Sequence, residues 1–195
     1  MLLTSTLLSF IAAAGDENDP EIEDDTEEDV VNYLDIISAW FYEQADQPDY
    51  LFVGLKLNEI STTPLKQHLT VHWDYNGIPC ATMMAVGYQG FGSIDFSAGW
   101  GHGFRFQEHH EVITGDYNQE TGIITMRIPK HIIKDPSKGD VLTNTYALTF
   151  QRFGFIGRMG FDRPIIHSIL FGLSGQRRSD IGPNDGHGKE YTIMY

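Results

Sequence analysis

Residues 68–88 contain the sequence feature that most constrains the fold, an alternating segment that turns back on itself. Apolar and polar side chains take turns along it, in the order His68, Leu69, Thr70, Val71, His72, Trp73, Asp74, Tyr75. A period of two places the apolar set on one face of a β-strand and the polar set on the other. Asn76 and Gly77 then supply the dipeptide that favours a two-residue hairpin turn. The sequence therefore predicts a β-hairpin here.

Similar runs of β-forming residues recur along the chain. Predicted strands cover residues 34–42, 50–58, 68–75, 78–88, 103–113, 122–128, 141–153, 165–173 and 190–194. Residues 130–134 have room for at most one helical turn before Asp135 and Pro136 break it. About nine strands without a long amphipathic helix predict an all-β fold, an antiparallel β-sandwich of the jelly-roll kind.

Length and composition limit the number of domains. The chain has 195 residues, of which 41% are hydrophobic, enough for one sizeable core and too few for a second full domain. We expect an apolar segment at residues 1–15, an acidic leader at 16–33 and the β-sandwich domain at 34–195.

Negative charge is concentrated in the leader. Ten of the 27 acidic residues lie between Gly15 and Asp29, so the remainder of the chain has 17 acidic against 13 basic side chains. No basic stripe is present, and an acidic chain is repelled by phosphate. We therefore expect no nucleic-acid partner.

The N-terminus suggests export from the cell. An apolar run from Leu2 to Ile11 is followed by Ala12, Ala13 and Ala14, as in a secretory signal, although no basic residue precedes it. The run is too short for a membrane span, so none is expected in the mature chain. Two alternatives are a start codon placed too late and a strand that belongs to the fold. The lone Cys80 excludes an internal disulfide and is expected to be buried. A secreted or cell-surface location is predicted.

Several segments together resemble a known type of module. After the leader with its Asp19 and Pro20, they are residues 34–41, 51–57, 70–77, 128–130, 142–144 and 185–192. In this order they resemble the jelly-roll modules of secreted archaeal and bacterial proteins, which follow subtilisin-like proteases or occur in surface layers, and more distantly the DOMON-type sandwiches. The resemblance implies a noncatalytic module that binds calcium for stability. It does not fix a ligand.

Calcium can also be argued from the residues themselves. The ion takes about six to eight oxygen ligands, commonly from clustered carboxylates. Candidate ligands are Asp19, Glu21, Asp24 and Asp25 in the leader and Asp180, Asn184 and Asp185 in a turn-rich loop before the last strand. If the first and last strands are neighbours, both clusters form one site. The alternative is a solvated charge run and an ordinary Asn-Asp-Gly turn.

The remaining candidate residues are histidines and a tryptophan. His68 and His72 share a strand face but lie roughly 13 Å apart, too far to chelate one metal, so we expect them at the surface or at an edge. No zinc-protease or nucleophile-elbow pattern occurs, and no catalytic residue is assigned. Trp100 and His102 lie in a glycine-rich segment that predicts a flexible loop able to stack on a sugar ring; the alternative is a turn that packs Trp100 on the core rim.

Three functions follow. The favoured one is a noncatalytic, calcium-stabilised module for attachment to, or recognition of, a surface protein or polysaccharide. The second is a structural subunit that self-associates by adding its N-terminal apolar strand to a neighbour's sheet. A metal-dependent or carboxylate-based hydrolase is the least favoured, because no residue spacing supports it.

Overall fold

The chain forms two antiparallel β-sheets, of five and seven strands. The computed structural model describes residues 16–24, 30–61, 66–89, 92–101, 108–152 and 179–195. The strands in these ranges are β1 Ile22–Glu23, β2 Ile36–Tyr42, β3 Tyr50–Leu57, β4 Lys66–Tyr75, β5 Ile78–Val86, β6 Ile94–Trp100, β7 His109–Val112, β8 Thr114–Asn118, β9 Ile123–Pro129, β10 Val141–Arg152, β11 Ser179–Gly182 and β12 Tyr191–Thr192. The predicted all-β antiparallel sandwich is confirmed.

The order of strands in the two sheets explains how the chain closes a core. The five-stranded sheet has the order β1-β2-β3-β9-β8. The seven-stranded sheet has the order β11-β10-β4-β5-β6-β7, and β12 pairs with one end of β10. Chain neighbours form hairpins, while β9 returns to pair with β3 and β10 returns to pair with β4. These pairings join segments that are far apart in the chain.

The core lies between the sheets and follows the predicted alternation. Leu69, Val71, Trp73 and Tyr75 of β4 are buried in it. From the other sheet, Phe41 meets Trp73 edge to face, with ring centroids 5.4 Å apart. Cys80 also lies in this core, as predicted, and burial raises the pKa of its thiol to about 12.

The hairpin turn after β4 has the predicted conformation. Asn76 and Gly77 have φ values of 52° and 73°, the left-handed pair that a tight two-residue turn requires. The short 3-10 helix Lys130–Ile133 matches the single predicted turn and ends at Lys134, whose φ of 75° is also left-handed. Both predictions are confirmed.

Four strands were not predicted: β1, β6, β8 and β11. The flexible loop is wrong for Trp100, which is the last residue of β6, whereas the alternative of a Trp100 packed against the core is confirmed. The predicted turn-rich loop around Asp180 is wrong in its first half, because Asp180 lies in β11 and is buried. The predicted strand at residues 165–173 lies outside the described residues.

The two open sides of the sandwich differ. On one side the chain passes from β7 in the seven-stranded sheet through Ile113 to β8 in the five-stranded sheet. On the other side β11 contacts β2, and the Ile36 N–H donates a hydrogen bond to Asp180 Oδ2 at 2.8 Å. No helix in the described ranges is long and apolar enough to span a membrane.

Candidate functional site

A row of aromatic and imidazole rings lies on the face of the seven-stranded sheet that points away from the core. Because Leu69, Val71 and Trp73 point inward, the intervening residues of β4 point outward. The strand register places Phe150 of β10 opposite His68 and Tyr146 opposite His72. We call this set, with Tyr88 from the segment after β5, the ring row: His68, His72, Tyr88, Tyr146 and Phe150.

The two halves of the ring row differ in burial. His68 is only 3% exposed and packs between Tyr88 and Phe150, at centroid distances of 4.4 and 4.8 Å. His72 and Tyr146 are half-buried, and their rings are stacked at 4.5 Å with an interplanar angle of 4°. The prediction of a surface position is therefore wrong for His68, because neighbouring rings cover it.

The tautomer of His72 follows from its neighbour Thr70. The Thr70 hydroxyl donates its single hydrogen to the Leu148 carbonyl at 2.8 Å. It can then only accept from His72 Nε2, which lies 2.9 Å away. The proton of a neutral His72 ring is thus on Nε2, and the sheet fixes the orientation of the ring.

Polar groups extend the ring row at its half-buried end. Asn144 Nδ2 donates a hydrogen bond to Asp74 Oδ2 at 2.8 Å. Asp74 lies two residues from His72 along β4, and Asn144 lies two residues from Tyr146 along β10. Asn144 sits where the β4–β10 register shifts, with a φ of 52° that turns it out to solvent. The exposed His187 ring lies 6.1 Å from the Tyr146 ring. A carboxylate, an amide and three rings therefore meet on one surface, the ring-row end: Asp74, Asn144, His72, Tyr146 and His187.

Glu21, a predicted calcium ligand, serves the backbone of β2. Its Oε2 accepts a hydrogen bond from the Phe41 N–H at 2.8 Å. Burial and, to a smaller extent, the nearby Asp19 raise the pKa of its carboxyl group to about 7, although the hydrogen bond from Phe41 partly opposes the shift. Glu21 thus fastens the leader to the sandwich.

Asp180, from the second predicted cluster, has the same kind of role. Its side chain is in the interior, with the residue 4% exposed. Oδ2 accepts from the Ile36 N–H, and Oδ1 accepts from the N–H of its chain neighbour Ile181 at 3.0 Å. Since the β2–β3 register shifts between Ile36 and Ser38, this carboxylate satisfies a backbone donor at an irregular point of the sheet.

The structure brings the leader and the C-terminal segment together. The Lys189 N–H donates to the Glu21 carbonyl at 2.7 Å, and Lys189 Nζ lies 2.7 Å from Asp19 Oδ1. A methyl group on Gly182 would lie 3.3 Å from Asp24 Cβ. Asn184 and Asp185 are exposed in a bend, and Asp25 lies outside the described residues. In the part of the chain that the structure describes, no three acidic, histidine or cysteine side chains are grouped to hold a metal ion.

The Trp100 side chain packs against neighbouring residues and does not project from a loop. Lys134 Nζ lies 3.2 Å from the centroid of the Trp100 ring, a cation–π contact. The His109 ring is stacked on it at 6.2 Å. Trp100 is half-buried, and His102 lies outside the described residues.

Comparisons with known proteins give no relative for this chain. No family model, curated protein or solved structure matches it. The resemblance drawn from the sequence segments stays a prediction.

The sequence did not reveal the ring-row end as a site. The alternation in residues 68–75 places His72 and Asp74 on the outer face, which was a usable signal. Their partners come from a distant part of the chain, since the hydrogen-bonded Asp74 and Asn144 are 70 residues apart. Only the pairing of β10 with β4 joins the two halves.

Proposed function

We propose that this protein is a noncatalytic, extracytoplasmic recognition module that binds a neutral polysaccharide with the ring-row end. The observation that carries the proposal is the stacked His72–Tyr146 pair beside the hydrogen-bonded Asp74–Asn144 pair. Rings offer apolar faces to the C–H groups of a sugar, and a few fixed polar groups orient its hydroxyls.

The composition of the surface favours a sugar over a protein. Protein-binding surfaces have an apolar centre with large aliphatic or aromatic anchors. The ring-row end has two polar groups, Asp74 and Asn144, beside its three rings and no aliphatic side chain among its five residues. A net charge of -14 also disfavours anionic polysaccharides, so a neutral chain is the better ligand.

Two parts of the proposal rest on the sequence. The apolar stretch at Leu2 to Ile11, followed by small residues, supports export. The acidic leader supports calcium as a stabilising ion, with Asp24 and Asp185 as the carboxylates to test, because Glu21 and Asp180 already accept backbone hydrogen bonds.

A glycan array with matched variants tests the proposal. The wild-type chain should bind neutral glucans or mannans and not uronate polymers. Tyr146→Ala should weaken binding about tenfold or more without changing the melting temperature by more than a few degrees, because one stacking surface is lost. Tyr195→Ala, which removes a tyrosine that is 44% exposed, is the control and should bind like wild type.

Two results would contradict the proposal. One is the absence of binding to any neutral polysaccharide by folded wild-type protein at millimolar sugar. The other is equal binding by the wild type and by Tyr146→Ala, since the sugar would then lie elsewhere. If the chain binds a cell-surface protein and no glycan, recognition of a protein is the better account of its function.

A further inference from the structure

Strand β7 is the last strand at one end of the seven-stranded sheet in the described part of the chain. Among the described residues, only β6 pairs with it. Val112, its last residue, is 85% exposed, the highest value among the exposed large hydrophobic residues in these ranges. An uncovered strand edge is a template for pairing with another strand. Natural edges are often protected by lysine or proline, and β7 contains neither.

The register shows which backbone groups of β7 point outward. Ile113 N–H donates to the Phe96 carbonyl at 3.1 Å, and the β6–β7 pairing continues without a shift from Ser97–Val112 to Trp100–His109. Hydrogen-bonded positions alternate in an antiparallel pair, so Glu111 and His109 also face β6. The N–H and C=O groups of His110 and Val112 therefore point away from the sheet.

The side chains of β7 are complementary to a second copy of the same strand. His109 and Glu111 lie on one face, and His109 Nε2 is 2.9 Å from Glu111 Oε1. The outward backbone groups allow antiparallel self-pairing with His110 opposite His110, or with His110 opposite Val112. The first register places each His109 opposite a Glu111 of the other copy. The second places the two Glu111 carboxylates opposite each other, which is unfavourable.

We propose that two copies of this chain associate through β7, antiparallel about a two-fold axis, with His110 opposite His110. The two seven-stranded sheets then join into one continuous sheet, and the pair is closed because the same strand is used twice. The opposite edge is not equivalent, because β11 there contacts β2 and Asp180 bonds to Ile36. This interface is independent of the polysaccharide surface and of the N-terminal segment.

Sedimentation equilibrium of the full chain tests the interface. The wild type should be a dimer at tens of micromolar. Val112→Pro removes an outward N–H without touching a bond to β6, and should lower the dimer affinity at least tenfold. Val112→Thr keeps the N–H and should remain dimeric. A monomeric wild type at 100 micromolar, or a Val112→Pro dimer of unchanged affinity, would overturn the proposal.

A charge exchange tests the register even if the proline variant fails to fold. His109→Glu places carboxylates opposite each other in its homodimer, and Glu111→His removes the carboxylate opposite each His109, so each variant alone should dimerise much more weakly than the wild type. Their mixture should form a heterodimer, because every opposed pair is then complementary. Two variants that stay monomeric when mixed, or that each dimerise as well as wild type, would rule out this pairing.

Discussion

Lys130 Nζ and Glu43 Oε1 lie 2.7 Å apart, and their side chains are 8% and 0% exposed. The other carboxylate oxygen of Glu43 accepts from the Tyr191 hydroxyl at 3.3 Å and from the Met194 N–H, while Lys130 also donates to the Tyr195 carbonyl. Burial beside Glu43 raises the pKa of Tyr191 above its usual range. This buried pair fastens the C-terminal residues to the end of β2.

Lys130→Met should lower the free energy of unfolding by about 3–5 kcal/mol, because it leaves the Glu43 carboxylate buried without its cation. Urea unfolding followed by tryptophan fluorescence measures the loss. The double variant Lys130→Met with Glu43→Gln should recover part of it, since no buried charge then remains. A loss below about 1 kcal/mol in the single variant would mean that solvent reaches Glu43.

Glu21 should make stability depend on pH. Its pKa is raised in the folded protein to about 7 from an ordinary value of 4.5, so the folded state holds this proton more tightly. The contribution of Glu21 to the free energy of unfolding is therefore complete below about pH 4.5 and is lost as the pH rises towards 7. We expect Glu21→Gln, which can still accept from Phe41, to match wild type near pH 4.5 and to be more stable at pH 8.

Chemical unfolding of both proteins across this range checks the prediction. The difference between them should grow between pH 4.5 and 7 and then level off. Glu120→Gln, a change at an exposed position, is the control and should show no such difference. A constant difference between the wild type and Glu21→Gln at all pH values would contradict the raised pKa.

Asp180→Ala should destabilise the sandwich by about 1–3 kcal/mol, because the buried Ile36 N–H loses its acceptor. Hydrogen exchange at the Ile36 amide should accelerate correspondingly. Asp180→Asn retains an acceptor and should lose less. Glu120→Ala, at an exposed position, should have nearly no effect. Equal exchange at Ile36 in wild type and Asp180→Ala would refute the assigned role.

Calcium should raise the melting temperature, because carboxylates gathered around an ion repel each other when it leaves. Melting curves in calcium and in excess EGTA measure the shift. The combined Asp24→Asn and Asp185→Asn variant should lose it, while Glu120→Gln should keep it. If the wild-type protein has the same melting temperature in both solutions, the leader does not bind calcium and is only a solvated acidic spacer.

The elements that sequence analysis recovered are those with a strong local pattern. In residues 68–78 the alternation and the Asn76–Gly77 turn each specify geometry within a few residues. Strand β6 was missed because its centre has only small residues, Ser97, Ala98 and Gly99. A Cβ on Gly99 would lie 2.0 Å from the His109 carbonyl oxygen, so the approach of β7 requires glycine there. That requirement depends on a separate strand, which local sequence around Gly99 does not reveal.

The predicted site residues show the same division. The sequence marks the acidic side chains in the leader and before the last strand as unusual, but it does not reveal their partners. Glu21 bonds to Phe41, and Asp180 to Ile36 across 144 residues, because the pairing of strands creates particular backbone donors that need an acceptor. His72 and Tyr146 likewise meet only because β10 returns to β4.

By itself the sequence determined the strands that have a strong local pattern, which of their faces is apolar and where the tight turn lies, because periodicity and turn chemistry act between near neighbours. The tertiary structure alone decided which strands pair, which carboxylates are buried and which rings share a surface. Those outcomes depend on contacts between residues far apart in the chain, whose register is set by packing of the whole core.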